Sequence, residues 1–177
     1  MLGIYMGVDP GENGGLALIN ADNIAIGFPM PSTPQALARL FTTRIIPAKP
    51  AYCLIEHLHA LPNDKRGSIA TWSLARSYGM LIGMLALAEI QYEEIEPRSW
   101  QKALGIEARW KAPKAKAGMA LVNYRPEESY HEFKMRLLGV ALKLFPRMDI
   151  TKEIADALLL AEVCRRMQGG FQGRSIR

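Results

Sequence analysis

The first half of the chain is patterned as short apolar runs separated by turn residues. The runs fall at 2–8, 16–19, 24–28 and 51–55, and a strand of alternating character is predicted further along, at 91–95. Pro10-Gly11 and Asn13-Gly14-Gly15 join the first two runs, and this turn chemistry predicts an antiparallel hairpin. The first run lacks polar alternation, which is typical of a strand buried on both faces. The pattern predicts an α/β fold with a mixed central sheet, in which parallel strands follow the antiparallel N-terminal hairpin.

Helical periodicity fills the segments between and after these runs. The predicted helices cover 34–41, 68–90, 97–104, 130–145 and 151–168. A loop bracketed by Pro47 and Pro50 follows the first helix, and further loops are predicted at 57–67 and over most of 105–128. We expect a single domain over 1–168, with helices flanking the sheet, and a flexible basic tail over 169–177.

The helix predicted from Ser68 to Ile90 is apolar on every side, so we expect it to be buried on every side. One face can cover the sheet, and the other requires a second partner. The simplest partner is the same helix of a second subunit, which predicts a homodimer. Gly79 and Gly83, one turn apart, would permit close backbone approach. The alternative partner is the C-terminal helix of the same chain.

Carboxylates stand at the ends of two predicted buried strands and at the start of the last helix. Asp9 and Glu56 end the strands, while Glu153 and Asp156 head an apolar helical stripe. Glu153 could simply complement the helix dipole. Asp156 lies among apolar residues, which costs several kcal/mol unless the carboxylate is paired or binds a metal. Carboxylates without a His or Cys ligand set favour Mg²⁺ or Mn²⁺, and two such ions would support phosphodiester hydrolysis.

Composition excludes several classes of protein. With 177 residues and 49% apolar positions, the chain can bury one real core and is not disordered. Arg76 and Glu89 interrupt the longest apolar stretch, so no membrane partner is expected. The N-terminus lacks the features of a signal peptide, and we expect a cytoplasmic protein. Cys53 and Cys164 are then expected to be reduced and buried.

Positive charge is concentrated in one part of the chain. The net charge is +5, yet 98–147 alone holds eleven Lys or Arg against four Glu. A basic block beside a carboxylate cluster suits an enzyme that cleaves a polyanion, because binding of the phosphates releases counterions. An ordinary solvated basic surface is the alternative.

The order of these elements resembles the RuvC-type Holliday-junction resolvases of the RNase H-like superfamily, closest in pattern to their plastid and phage branches. The matching segments span nearly the whole chain: Gly7-Val8-Asp9-Pro10-Gly11 with Gly14-Gly15, Leu54-Ile55-Glu56, Tyr78-Gly79-Met80-Leu81-Ile82-Gly83, Pro97-Arg98-Ser99-Trp100-Gln101-Lys102, Leu144-Phe145-Pro146 and Ala155-Asp156-Ala157-Leu158-Leu159-Leu160-Ala161.

The resemblance implies an RNase H-like fold and a Mg²⁺-dependent endodeoxyribonuclease that resolves four-way DNA junctions by paired symmetric nicks. The implied metal tetrad, which would hold two Mg²⁺ with Mn²⁺ as a substitute, is Asp9, Glu56, Glu153 and Asp156.

Lys134 resembles the basic residue that lies by the scissile phosphate in this family, although Lys111, Lys114 or Lys116 could serve instead. The loop after Glu56 resembles the one that probes the junction, with Leu58 and His59 as the expected probes. The remaining candidate DNA contacts are basic residues of this loop and of the basic block: Lys65, Arg66, Arg98, Lys102, Lys111, Lys114 and Lys116.

Two other functions compete with this interpretation. A junction-binding architectural protein would retain the acids without catalysis. Sugar kinases and actin-like ATPases use a hairpin similar to 9–15 to hold nucleotide phosphates, but they need two such domains and would leave the basic block unexplained.

Overall fold

The computed structural model describes residues 3–58, 67–111 and 127–172, and in these ranges it contains a five-stranded mixed sheet. The strands are β1 (Ile4–Asp9), β2 (Gly15–Asn20), β3 (Ala25–Pro29), β4 (Tyr52–Glu56) and β5 (Tyr92–Ile95). They lie in the order β3-β2-β1-β4-β5. β1, β2 and β3 are antiparallel, whereas β4 pairs in parallel with β1 and β5 with β4. The predicted mixed sheet is confirmed.

Six α-helices flank the described sheet: α1 (Pro34–Leu40), α2 (Ile46–Ala48), α3 (Gly67–Leu87), α4 (Pro97–Ala103), α5 (Tyr130–Leu144) and α6 (Lys152–Gln172). The Thr33 hydroxyl caps α1 by accepting a hydrogen bond from the Ala36 N–H at 3.1 Å. A reciprocal capping box between Ser129 and Glu132 starts α5. α6 continues four residues past its predicted end at Gln168.

The loop predicted between Pro47 and Pro50 is wrong in part, because helical structure continues through Pro47. A π-helical turn, Phe41–Ile45, joins α1 to α2, and its register is set by the Ile46 N–H bonding to the Phe41 carbonyl. A proline ring crowds the carbonyl one turn earlier in a regular α-helix. The wider π turn lies directly before Pro47, and the helix ends only at Lys49, which adopts a left-handed conformation with φ of 51°.

Alternation along the strands divides the core into two layers, one on each face of the sheet. Tyr5 and Leu54 point toward α4, α5 and α6. Met6 and Val8, like their neighbours in β2 and β4, point toward α1 and α3. β1 is therefore buried on both faces along most of its length, as its apolar sequence predicted.

α6 lies unusually close to the centre of the sheet because β1 presents Gly7 to it. A Cβ atom at Gly7 would meet the Ala157 carbonyl and the Ala161 nitrogen of α6. Glycine thus permits helix and strand backbones to touch at this point. Since Asp9 is two residues further along β1, its side chain emerges on the same face, toward α6.

α3 is buried on one side only within the chain. Leu81 and Leu85 pack beneath the sheet, whereas Trp72 and Leu87 are 70% and 75% exposed. The alternative that α6 covers the second face of α3 is wrong, since α6 lies across the sheet. Homodimerisation through α3 stays a prediction.

Two smaller expectations concern the cysteines and the membrane. Cys53 and Cys164 are both free and buried, as predicted. None of the described helices is long and apolar enough to span a membrane.

Candidate active site

Asp9 and Glu56 lie side by side at one edge of the sheet. β1 and β4 are parallel, and Val8 is in register with Ile55, so the next residue of each strand is one of these carboxylates. Alternation places both side chains on the α6 face, two positions after Gly7 and Leu54 respectively. The strand register itself therefore creates a paired carboxylate.

The turn after β1 makes room for the Asp9 carboxylate. A Cβ atom at Gly14 would lie 2.8 Å from Asp9 Cγ, so no larger residue fits here without displacing the acid. The Gly11 N–H donates a hydrogen bond to Asp9 Oδ1 at 3.3 Å. The glycines of the hairpin thus hold this side chain as well as permitting the turn.

α5 and α6 bring Lys134 and Asp156 to the same place. The Lys134 Nζ donates a short hydrogen bond to Asp156 Oδ2 and lies 4.0 Å from Asp9 Oδ2. The side chains of Asp156 and Asp9 are only 5% and 13% exposed. Burial alone would lower the pKa of the Lys134 ammonium, but the charge of Asp156, aided by Asp9, raises it above its ordinary value. Lys134 is therefore a fixed cation among the acids.

Trp100 of α4 holds the Glu56 carboxylate through a hydrogen bond. The fully buried indole donates its Nε1–H to Glu56 Oε2 at 2.8 Å. Burial raises the pKa of the Glu56 carboxyl from 4.5 to about 7, and the charge of Asp9 acts in the same direction. The indole hydrogen bond opposes this rise, because it stabilises the charged form.

Asp156 is only half satisfied. Burial, aided by the charge of Asp9, raises the pKa of its carboxyl above the ordinary value, although Lys134 opposes this rise. Within the described part of the chain, its buried Oδ1 has no hydrogen-bond partner, while Oδ2 contacts Lys134. A buried acceptor without a partner is costly in a folded protein, which makes this oxygen a candidate ligand atom.

The fourth predicted acid, Glu153, lies near this group but faces solvent. A Cβ atom at Gly15, the β-partner of Asp9, would lie 3.0 Å from the Glu153 carbonyl oxygen. The Glu153 side chain is exposed, and a hydrogen bond with the Thr151 side chain lowers the pKa of its carboxyl. The structure thus brings together Asp9, Glu56, Asp156 and Lys134, and leaves Glu153 at their edge.

An open cavity of about 720 Å³ adjoins the acids, and Asp9, Glu56 and Lys134 line it. Tyr130, 62% exposed, lines the same cavity and lies with its ring 5.7 Å from Lys134 Nζ. Ser73 and Ser77 of α3 also line it. The acids therefore border a space large enough for part of a polymeric substrate.

The donor set suits a hard divalent cation, because it consists of carboxylate oxygens. The unpartnered Asp156 Oδ1 also fits a ligand role. In the ranges that the structure describes, however, no three His, Cys, Asp or Glu side chains are close enough together to form a ready ion site. Lys134 contacts Asp156 instead. Any cation bound by Asp156 Oδ2 would have to replace this ammonium.

The predicted DNA contacts are only partly described. Arg98 and Lys102 are exposed on α4 and line a second cavity of about 520 Å³. Lys111 is exposed, and Leu58, two residues after Glu56, is half-buried. The other candidates, His59, Lys65, Arg66, Lys114 and Lys116, lie outside the described residues.

Four residues at the site had no role predicted from the sequence: Trp100, Tyr130, Ser73 and Ser77. A buried tryptophan needs a partner for its N–H, which was the available signal for Trp100, but the partner is a glutamate 44 positions away. No signal singled out Tyr130, which is simply the first residue of α5.

The strand order, the helices on both faces and the carboxylates ending β1 and β4 define an RNase H-like fold. Two solved structures of RuvC share it. The Thermus thermophilus RuvC in complex with a Holliday junction substrate superposes on this chain with a TM-score of 0.55 at 16% identity. The superposition covers 95% of this chain and 96% of the RuvC chain. A Thermus thermophilus RuvC structure gives 0.52 at 12% identity, with coverages of 94% and 96%. The yeast mitochondrial Holliday junction resolvase Ydc2 gives 0.42 at 17% identity, covering 96% and 80%.

The chain matches no protein-family model and no curated protein by sequence. At these identities, the likeness to the two RuvC structures concerns the fold: the predicted RNase H-like architecture is that of RuvC.

Proposed function

We propose that this chain is a structure-selective endodeoxyribonuclease that resolves four-way DNA junctions with divalent metal ions, most simply two Mg²⁺. The observation that carries the proposal is the convergence of Asp9, Glu56 and Asp156 on the α6 face of the sheet, with Lys134 among them. The shared fold supports it, since one of the RuvC structures was solved with a Holliday junction substrate.

Each acid has an oxygen that another group holds and an oxygen that remains for a cation. Asp9 accepts from the Gly11 N–H through Oδ1, and Glu56 accepts from Trp100 through Oε2. Asp156 contacts Lys134 through Oδ2 and keeps Oδ1 without a partner in the described residues. We assign Glu153 as the fourth ligand, at the edge of the group. When bound, Mg²⁺ would activate water and stabilise the leaving oxygen in phosphodiester hydrolysis.

Lys134 has two successive partners in this proposal. In the metal-free protein its ammonium neutralises Asp156 and Asp9. A bound divalent cation would supply positive charge to these carboxylates, and Lys134 would then be placed to contact the scissile phosphate. A fixed ammonium there stabilises the negative charge that develops in the transition state.

We propose that exposed cations on α4 bind the DNA. Arg98 and Lys102 lie on the outer side of α4, whose inner side carries Trp100. Because such lysines and arginines contact phosphates without contacting the acids, they supply affinity and salt dependence more than rate.

We further propose that two copies of the chain act on one junction, since paired nicks need two active sites. The exposed side of α3 carries Trp72 and Leu87, and a Cβ atom at Gly83 meets no other heavy atom within 4 Å. This apolar surface with room for close approach fits the predicted homodimer.

The proposal is tested with Asp9→Asn and a labelled four-way junction. The variant should bind the junction in EDTA as well as the wild type or slightly better, because one negative charge near the phosphates is removed. Mg²⁺-dependent nicking should be lost. Asp22→Asn, the same change in an exposed turn, is the matched control and should nick normally.

Comparable nicking by Asp9→Asn and the wild type would remove Asp9 from the site. A wild-type protein that binds the junction and never cuts it in Mg²⁺ or Mn²⁺ would instead favour an architectural role.

A further inference from the structure

The geometry points to Trp100 as the positioning residue for Glu56, acting through its indole N–H to hold that carboxylate as a metal ligand. The inference rests on the proposed nuclease function and adds to it a residue outside the carboxylate group. Its basis is the hydrogen bond from Trp100 Nε1 to Glu56 Oε2 at 2.8 Å.

The position of Trp100 is fixed by the fold. β5 runs beside β4, with Ile95 in register with Glu56, and α4 starts two residues later at Pro97. Trp100 occupies the first turn of this helix and is fully buried in the core on the α6 side of the sheet. The indole can therefore hardly move relative to the strand end that carries Glu56.

The chemistry of the indole suits a carboxylate that must stay charged. Its N–H donates and cannot accept, so its hydrogen bond favours the ionised form of the acid. The ion pairs of Lys134 go to Asp156 and Asp9. Among the described residues, the indole is the group that donates to Glu56.

Holding one oxygen also orients the other. With Oε2 bonded to Trp100, rotation of the carboxylate is restricted. Oε1 is then the oxygen left to contact a metal ion. Groups that orient a ligand in this way typically change metal affinity by about 10- to 100-fold when they are removed.

The test measures Mn²⁺ binding to the full-length chain without DNA, from the EPR signal of the free ion. Trp100→Phe should weaken Mn²⁺ binding by about 10- to 100-fold. Because phenylalanine also leaves a gap in the core, a second variant carries benzothienylalanine at position 100, which keeps the bicyclic shape and replaces N–H by sulfur. It should weaken binding by a similar factor. Trp110→Phe, at a partly exposed tryptophan away from the acids, is the control and should bind normally.

A double-mutant cycle tests whether Trp100 acts through Glu56. In a Glu56→Gln background, adding Trp100→Phe should cause no further loss of Mn²⁺ affinity. An equal loss in both backgrounds would overturn the inference, as would normal Mn²⁺ binding by the benzothienylalanine variant. A wild type that binds no Mn²⁺ would refute the proposed metal-dependent function itself. Equal Mn²⁺ binding by the wild type and the benzothienylalanine variant would refute only the role of Trp100.

Discussion

Replacing Glu56 by glutamine should stabilise the metal-free protein at alkaline pH, although it removes a proposed ligand. Burial and the neighbouring Asp9 raise the pKa of the Glu56 carboxyl to about 7 in the folded chain, from 4.5. Between these two values the folded state binds more protons than the unfolded state. The free energy of unfolding therefore falls as the pH rises through this window.

The size of the effect follows from the same two values. Relative to acidic pH, this pKa shift lowers the free energy of unfolding by about 3 kcal/mol at pH 8 and by about 1 kcal/mol at pH 5.5. Glutamine keeps the shape and still accepts the Trp100 hydrogen bond through its amide oxygen, but it has no charge to bury. Glu56→Gln should therefore exceed the wild type by up to about 3 kcal/mol at pH 8, and by only about 1 kcal/mol at pH 5.5.

The measurement is urea unfolding in EDTA at both pH values, followed by circular dichroism. Titrating groups that do not interact with Glu56 contribute to both proteins and largely cancel in the difference. Glu89→Gln, at an exposed position, is the control and should show no pH-dependent gain. A Glu56→Gln variant no more stable than the wild type at pH 8 would refute the idea that this carboxylate is held against its own burial.

Two further predictions separate chemistry from assembly. Under single-turnover conditions with saturating enzyme, Lys134→Ala should lower the cleavage rate at least ~100-fold with little change in junction affinity. The same change at Lys114 or Lys116 should weaken junction binding and leave the cleavage rate unchanged. If these outcomes are exchanged, the catalytic lysine lies in the loop. Gly83→Arg should yield monomers in light scattering that cut poorly, and a wild type that is already monomeric at micromolar concentration would contradict the α3 dimer.

Local patterns predicted much of the candidate site because its positions are set by secondary structure. Strand alternation and length place Asp9 and Glu56 at neighbouring strand ends, whereas Lys134 was indicated by the family resemblance. These three residues line one cavity in the structure. Their catalytic and metal-binding roles stay predictions.

Contacts between distant elements were beyond local patterns. Asp156 pairs with Lys134, which lies 22 positions away on α5 and so outside any spacing along α6. The hydrogen bond from Trp100 to Glu56 likewise joins α4 to β4 across 44 positions. The π turn before Pro47 is a local widening of a helix, and such a turn has no periodic pattern in the sequence. The two prolines therefore predicted a loop where the helix continues.

The half-satisfied state of Asp156 links the ion pair to the proposed metal chemistry. A buried aspartate with a purely structural role would be expected to have partners at both oxygens, because an unsatisfied buried acceptor costs about 1–3 kcal/mol. In the described residues, Lys134 satisfies Oδ2 alone. From the sequence alone, pairing and metal binding were alternatives for this residue. The geometry is consistent with both roles: Lys134 pairs with Oδ2 in the structure, and Oδ1 would remain available to hold a cation.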